Sequence, residues 1–379
     1  MLTHQDRASH FPNLSTMTYL NTAAESIPPR CVADAIQRYY DDKLCGMAGR
    51  DMHFAMFEQC REIAASMIGL KPHEVSFCSC SSEAYNLLSS ALDLNADQEV
   101  VISDLDFPAG TTPWLRASRT PRIRLWRSLA TGCLELADLK DLLNSNTRLV
   151  QVSLVSFYNG FRLDWDGLVE LVRSKAPQAI LAVDVTQALG RVSFDCTAAD
   201  FIVSSTHKWG LGIHGSCVVG VPERRWDELT THAGGWFHIV NAFGPDRFVA
   251  AEPKPGVESF SVGMPNFVSI YALNASLRFL EGIGIAKIEK YSNDLTHSLS
   301  TELKGLGINL LAPFELHRPT GIVAFRHPKA EQIYEYLLRS GIHVMYHAGR
   351  LRISVHFYNT EDDLRKILNC LHDWFSKTG

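Results

Sequence analysis

The chain has 379 residues, 46% hydrophobic and 20% charged, with a formal net charge of −5. That is long enough for one large domain plus a smaller one, and the acidic balance leaves no basic footprint for nucleic acid. Nine scattered cysteines, with only Cys78 and Cys80 close together and no C-x-x-C pair, argue against a disulfide framework or a zinc site.

In chain order, strands and helices alternate through the first two-thirds. Residues 74–78 read as a strand and 83–92 as a helix that buries Ala84, Leu87, Leu88 and Ala91 at three- and four-residue spacing. A strand at 99–103, a helix at 108–117 and a strand at 122–126 follow. Next come a helix at 136–143, a strand at 148–155, a helix at 165–174 and a strand at 179–183. Strands at 200–204 and 216–221 close the series. Such alternation predicts an α/β fold, a mostly parallel sheet with helices on both faces. A Gly/Pro-rich connection spans 234–265. Beyond it the pattern changes to helices at 267–281 and 285–303, a strand at 321–326, a helix at 330–339, strands at 342–346 and 351–355, and a last helix. Thr360 suits its N-cap, and Glu361, Asp362 and Asp363 suit the positive end of its dipole. The expected organisation is an N-terminal segment at 1–18, a large domain at 19–263 and a small α+β domain at 264–379.

Ligands of parallel sheets bind beyond the carboxyl ends of the strands. Ser81, Ser82, Asp184 and Lys208 all fall at such ends. A lysine there, with a carboxylate at a neighbouring strand end, suits a Schiff base to pyridoxal phosphate (PLP). The lysine holds the aldehyde and the aspartate keeps the pyridine nitrogen protonated. Either residue alone also fits an exposed loop lysine or a helix-capping aspartate. Ser81 and Ser82 start a helix, where hydroxyls and free N–H groups suit a phosphate, and Ser205 and His207 flank the lysine. The run Gly210–Gly215 matches G-x-G-x-x-G, but a strand pattern comes after it where a dinucleotide fingerprint needs a helix. A nicotinamide oxidoreductase is therefore disfavoured. The glycines suit a tight turn between two strands.

Together these segments resemble the class V aminotransferase family of fold-type I PLP enzymes, which includes cysteine desulfurases and isopenicillin N epimerase-like proteins. The resemblance rests on Tyr19–Ala24, Ser81–Asn86, Asp106–Ala109, Asp184–Ala188, Ser205–Lys208 and Leu351–Thr360, in this order. It implies that Lys208 carries the cofactor and shuttles the Cα proton through an external aldimine and a quinonoid. It implies Asp184 at the pyridine nitrogen, Gln187 at the phenolic oxygen, and Ser81, Ser82, Ser205 and His207 at the phosphate. Phe107 stacks on the ring and Asn159 lies near it. Arg352 takes the substrate carboxylate, and Ala24 borders the substrate. A homodimer is implied as well.

The departures bear on the reaction. Desulfurases carry a catalytic cysteine in a loop before the carboxylate arginine; here residues 343–350 are short and lack one. A persulfide mechanism needs that thiolate. Met264 stands where the family commonly has a threonine that reaches the partner's phosphate. An aminotransferase-type reaction on an amino acid is the first expectation. A C–S lyase without a persulfide cysteine, an epimerase and a non-catalytic binding module of the same fold are the alternatives. His343, Tyr346, His347 and Arg350 fit either a host for a polar or acidic substrate side chain or solvated loop residues. Residues 1–7 lack the apolar core of a signal peptide, and no apolar run is long enough to span a bilayer. A cytoplasmic protein without membrane, nucleic-acid or metal partners is expected.

Overall fold

The computed structural model describes residues 2–117 and 120–378, so Met1 and Gly379, the outer ends of the expected first and last segments, lie outside it. The strands are β1 (Thr18–Tyr19), β2 (Val75–Cys78), β3 (Glu99–Ser103), β4 (Arg122–Trp126), β5 (Thr147–Ser153), β6 (Ile180–Asp184), β7 (Phe201–Ser205), β8 (Cys217–Gly220), β9 (Ile322–Arg326), β10 (Ile342–His343), β11 (Met345–His347) and β12 (Arg350–Ser354). The helices are α1 (His4–His10), α2 (Arg30–Leu44), α3 (Gly49–Ile68), α4 (Ser81–Leu92), α5 (Pro108–Arg116), α6 (Leu136–Lys140), α7 (Trp165–Lys175), α8 (Phe267–Ile283), α9 (Ile285–Gly305), α10 (Ala330–Arg339) and α11 (Glu361–Thr378).

A seven-stranded sheet in the order β2-β8-β7-β6-β5-β3-β4 forms the large layer. Strands β4, β3, β5, β6 and β7 are mutually parallel. Strand β8 runs antiparallel to both of its neighbours, β7 and β2. Every residue of β6, β7 and β8 is buried, as expected for strands covered on both faces. The parallel register puts Ser153 of β5 beside Asp184 of β6, and the chain leaves β7 at Ser205 along the same edge. The sheet thereby gathers its chemistry along one line of strand ends. The glycine-rich run Gly210–Gly215 leads straight into β8 rather than into a helix. Gly215 there has φ +98°, and a Cβ on it would meet the Asn266 amide at 2.4 Å.

The small domain holds a three-stranded antiparallel sheet, β11-β12-β9, backed by α9, α10 and α11. Helices α2 and α3 have no counterpart in the pattern read off the sequence, and three further features go beyond it. The single strand expected at 342–346 is two: β10 pairs in parallel with β1, while β11 pairs antiparallel with β12. Helix α8, expected to open the small domain, sends Ile270, Tyr271, Leu273, Leu277 and Leu280 into the core of the large sheet. The N-terminal segment is fastened to the C-terminal part: Arg7 pairs with Asp363 at 3.0 Å and donates to the Tyr358 carbonyl at 2.7 Å. Thr360 accepts from the Asp363 backbone N–H at 3.3 Å, the N-cap bond expected for α11. No helix among the described residues is long and apolar enough to cross a membrane.

Asp200 leads into β7 at the sheet edge opposite the line of strand ends. It is fully buried, accepts from the Leu181 N–H at 2.9 Å, and pairs with Arg173 at 2.7 Å and Arg225 at 2.9 Å. Removing it leaves the partly buried Arg173 without its anion and Arg225 with Glu228 alone. Asp200→Ala should lower the unfolding free energy in urea by about 3 kcal/mol. A loss below about 1 kcal/mol would mean that solvent already screens the cluster.

Candidate functional site

The strand ends and the small domain enclose a cavity of about 600 Å³. Its walls include Ser81, Phe107, Asp184, Gln187, Lys208 and Arg352. Ala24, Ser205 and His207 border it as well.

Asp184 ends β6 and is buried. Its carboxylate accepts from the Thr186 N–H at 2.8 Å and faces the Tyr85 hydroxyl at 3.4 Å. Burial pushes its pKa above the usual carboxylate range, while the Thr186 bonds and the Lys208 charge pull it back. Lys208 lies three residues after β7 and is partly buried. Burial lowers its pKa, and Asp184 opposes that shift. Its Nζ lies 5.1 Å from the Phe107 ring centre and forms no hydrogen bond or ion pair with any described residue. The lysine is thus a partly buried amine whose polar end faces the cavity and is satisfied by no described side chain.

Phe107 precedes the first residue of α5 and packs edge-on against Phe157 at 5.0 Å. The turn before it is fixed by buried Asp106, which accepts from the Ser103 and Ser153 N–H groups at 2.8 and 2.7 Å. Gln187 is buried; its amide donates to the Ala23 carbonyl at 3.1 Å and accepts from the Trp209 indole at 2.6 Å. Two bonds fix the amide plane and leave one amide hydrogen available.

Helix α4 begins without a side-chain cap, although Cys80 and Ser81 lie on the cavity wall. The first N–H groups of a helix have no intrahelical partners, so this end offers donors to an anion. His207 stacks on His214 with ring centres 4.0 Å apart, and His214 bonds Glu25 at 2.8 Å. Burial, then the Lys208 and His214 charges, bring the His207 pKa down to about 4, so its imidazole is neutral at ordinary pH. One ligand atom each from Glu25, His207 and His214 lies within 4.8 Å of the others, a spacing that could hold a metal ion.

The small domain contributes two buried arginines from β12, Arg350 and Arg352. Arg352 donates to the Phe157 carbonyl at 2.7 Å. Burial and the Arg350 charge push its pKa down, yet a guanidinium stays protonated across the neutral range.

Not every residue read from the sequence converges here. The Asn159 amide is engaged elsewhere, donating to the Gly132 carbonyl at 2.7 Å and accepting from the Phe161 N–H at 3.0 Å, and it does not border this cavity. Ser82 is exposed, one residue past the wall at Ser81. His343 packs near Tyr19 and Tyr346 near Tyr334, away from the cavity, whereas His347 and Arg350 reach it. Tyr85, Thr186 and Phe157 were not singled out in the sequence. For Thr186 the signal was available, since it lies between Asp184 and Gln187. Its hydroxyl accepts from the Ser205 N–H at 2.9 Å and so ties the two strand ends together. Tyr85 meets Asp184 across 99 positions, which no local pattern reveals.

These features fit PLP on the structure's own terms. A partly buried amine without a hydrogen-bond partner, a buried carboxylate, an uncapped helix start and an aromatic ring share one cavity. The family model for aminotransferase class-V matches residues 18–367. The chain is 28% identical over 362 residues to an uncharacterized aminotransferase, YcbU, of Bacillus subtilis, covering 95% of each. It is 26% identical to a probable cysteine desulfurase of Pyrococcus abyssi, covering 97% of each. In three dimensions it is similar to the apo structure of a cysteine desulfurase from Thermococcus onnurineus, with TM-score 0.88, 23% identity and coverage of 99% and 98%. The match over nearly the whole chain, on a fold that brings Lys208 and Asp184 into one cavity, places this protein in the aminotransferase class-V family of PLP-dependent enzymes.

Proposed function

We propose that the protein acts at the Cα of an α-amino acid and transfers its amino group. The observation that carries this reading is the convergence of Lys208, Asp184 and Arg352 on one cavity. PLP supplies an aldehyde for the lysine and a conjugated ring that accepts the electrons released at Cα. Asp184 would hold the ring nitrogen protonated, and Gln187 would use its remaining amide hydrogen at the phenolic oxygen. Ser81, Ser205, neutral His207 and the start of α4 would hold the phosphate. Phe107 covers the ring face. Arg352 orients the substrate by its α-carboxylate, a pairing suited to guanidinium geometry, and Ala24 borders the substrate space. Lys208 takes the Cα proton. Its lowered pKa raises the fraction present as free amine, which is the form that can accept a proton.

The family's reactions diverge once the Cα proton has left. The Pyrococcus relative is named for desulfuration, which by a persulfide route needs a mobile thiolate. The 343–350 segment has no cysteine, and the cavity's only lining cysteine among the described residues is Cys80, at the start of α4. Transamination fits the site without such a group. Elimination from a sulfur-bearing amino acid needs no protein thiol and is the second reading.

The protein acts as a homodimer in this proposal. Phe243, Phe248 and Val249 are 83%, 87% and 89% exposed, a concentration of apolar surface that favours a partner subunit. The free cysteines suit a reducing, cytoplasmic setting.

Lys208→Ala should abolish the Schiff-base absorbance of the PLP-loaded protein and slow turnover at least about a thousandfold, with the melting temperature little changed. Wild-type turnover in that variant would refute the assignment. Arg352→Ala should raise the half-saturating concentration of amino-acid substrates roughly thirtyfold or more. An equal loss with the corresponding decarboxylated amine would contradict its role at the carboxylate.

A further inference from the structure

We infer that Arg350 reads a second anionic group, on the substrate's side chain, so that the substrates are acidic amino acids. This rests on the proposed role of Arg352 at the α-carboxylate. Arg350 and Arg352 are two apart on β12, and alternation along a strand directs them to the same side. Both are 2% exposed and both border the cavity. Successive carbonyls of one loop hold them: Arg350 Nη1 donates to Tyr158 at 2.7 Å and Arg352 Nη1 to Phe157 at 2.7 Å. The Tyr158 ring lies 4.1 Å from the Arg350 guanidinium carbon and fixes the plane of the group.

Neither arginine forms an ion pair with any carboxylate among the described residues, and the Nε atom of each is buried without a hydrogen-bond partner. The two carboxylates on the cavity wall are engaged elsewhere, Asp184 with Thr186 and Glu25 with His214. The phosphate is assigned to other residues of the wall, Ser81 and Ser205. Two desolvated cations side by side repel each other and leave donors unmet. An α-carboxylate neutralises one of them. A second carboxylate, or a sulfinate of similar size, neutralises the other. His347 at the rim adds a further donor beside Arg350.

The test uses the PLP-loaded enzyme and two isosteric pairs. Calorimetry compares succinate with succinamate, which needs no chemistry at the cofactor. Spectral titration compares aspartate with asparagine. The acidic member of each pair should bind at least about tenfold more tightly. In R350M that preference should fall to within about twofold, because the loss is larger for the acidic member, while R350K should retain an intermediate preference. Equal binding within each pair in the wild type, or an R350M loss shared alike by both members, would overturn the inference. If no amino acid, acidic or neutral, alters the cofactor spectrum, the proposed reaction itself fails and the inference falls with it.

Discussion

The Asp184 carboxylate and the Lys208 amine share one cavity without forming an ion pair, and the rest of the site depends on that separation. A direct pair would satisfy both groups and leave neither for a ligand. Here the carboxylate is held by Thr186 and Tyr85 from its own side of the sheet. The amine is left facing an aromatic ring. Burial then shifts both pKa values toward their neutral forms, upward for the acid and downward for the amine. The parallel sheet makes this arrangement possible because β6 and β7 end along one edge and deliver the two groups from neighbouring strands.

The small domain completes the site with the opposite electrostatic sign. Its contribution comes from a single strand, β12, which pairs with β9 on one side and β11 on the other. That pairing fixes the arginine backbones, and two loop carbonyls from the large domain fix the guanidinium groups. In the proposed function, substrate recognition is therefore built across the junction between the two parts of the chain. Arg7 and β1 stitch the N-terminal segment onto the same small domain, so its position relative to the sheet is constrained from several directions.

Much of this was legible in the sequence because the relevant signals are local. Asp184-Val185-Thr186-Gln187 and Ser205-Thr206-His207-Lys208 each come after an apolar run that ends in polar residues, and period and position identify both as strand ends. The features that were not legible depend on distance or on packing. Helices α2 and α3 start without side-chain caps, at Pro29 and Ala48, so no capping side chain marks where they begin. Helix α8 sits with the large sheet although it comes after the long connection, since its apolar face finds its partners in α2 and α3. Asn159 shows the limit of a loose motif match: it is a polar residue beside the right loop, but its amide is consumed by backbone groups of Gly132 and Phe161. Arg350 is the converse case: the sequence leaves it between a substrate contact and a solvated loop residue, and its burial without a counter-ion among the described residues removes the second reading.

The central claim is that Lys208 is the residue that carries the cofactor. The most direct measurement is borohydride reduction of the PLP-loaded protein, then proteolysis and mass spectrometry of the labelled peptides. The account predicts one phosphopyridoxyl adduct, on the peptide containing Lys208, with loss of the yellow absorbance. An adduct on a different lysine, or a protein that takes up no PLP at all, would contradict it.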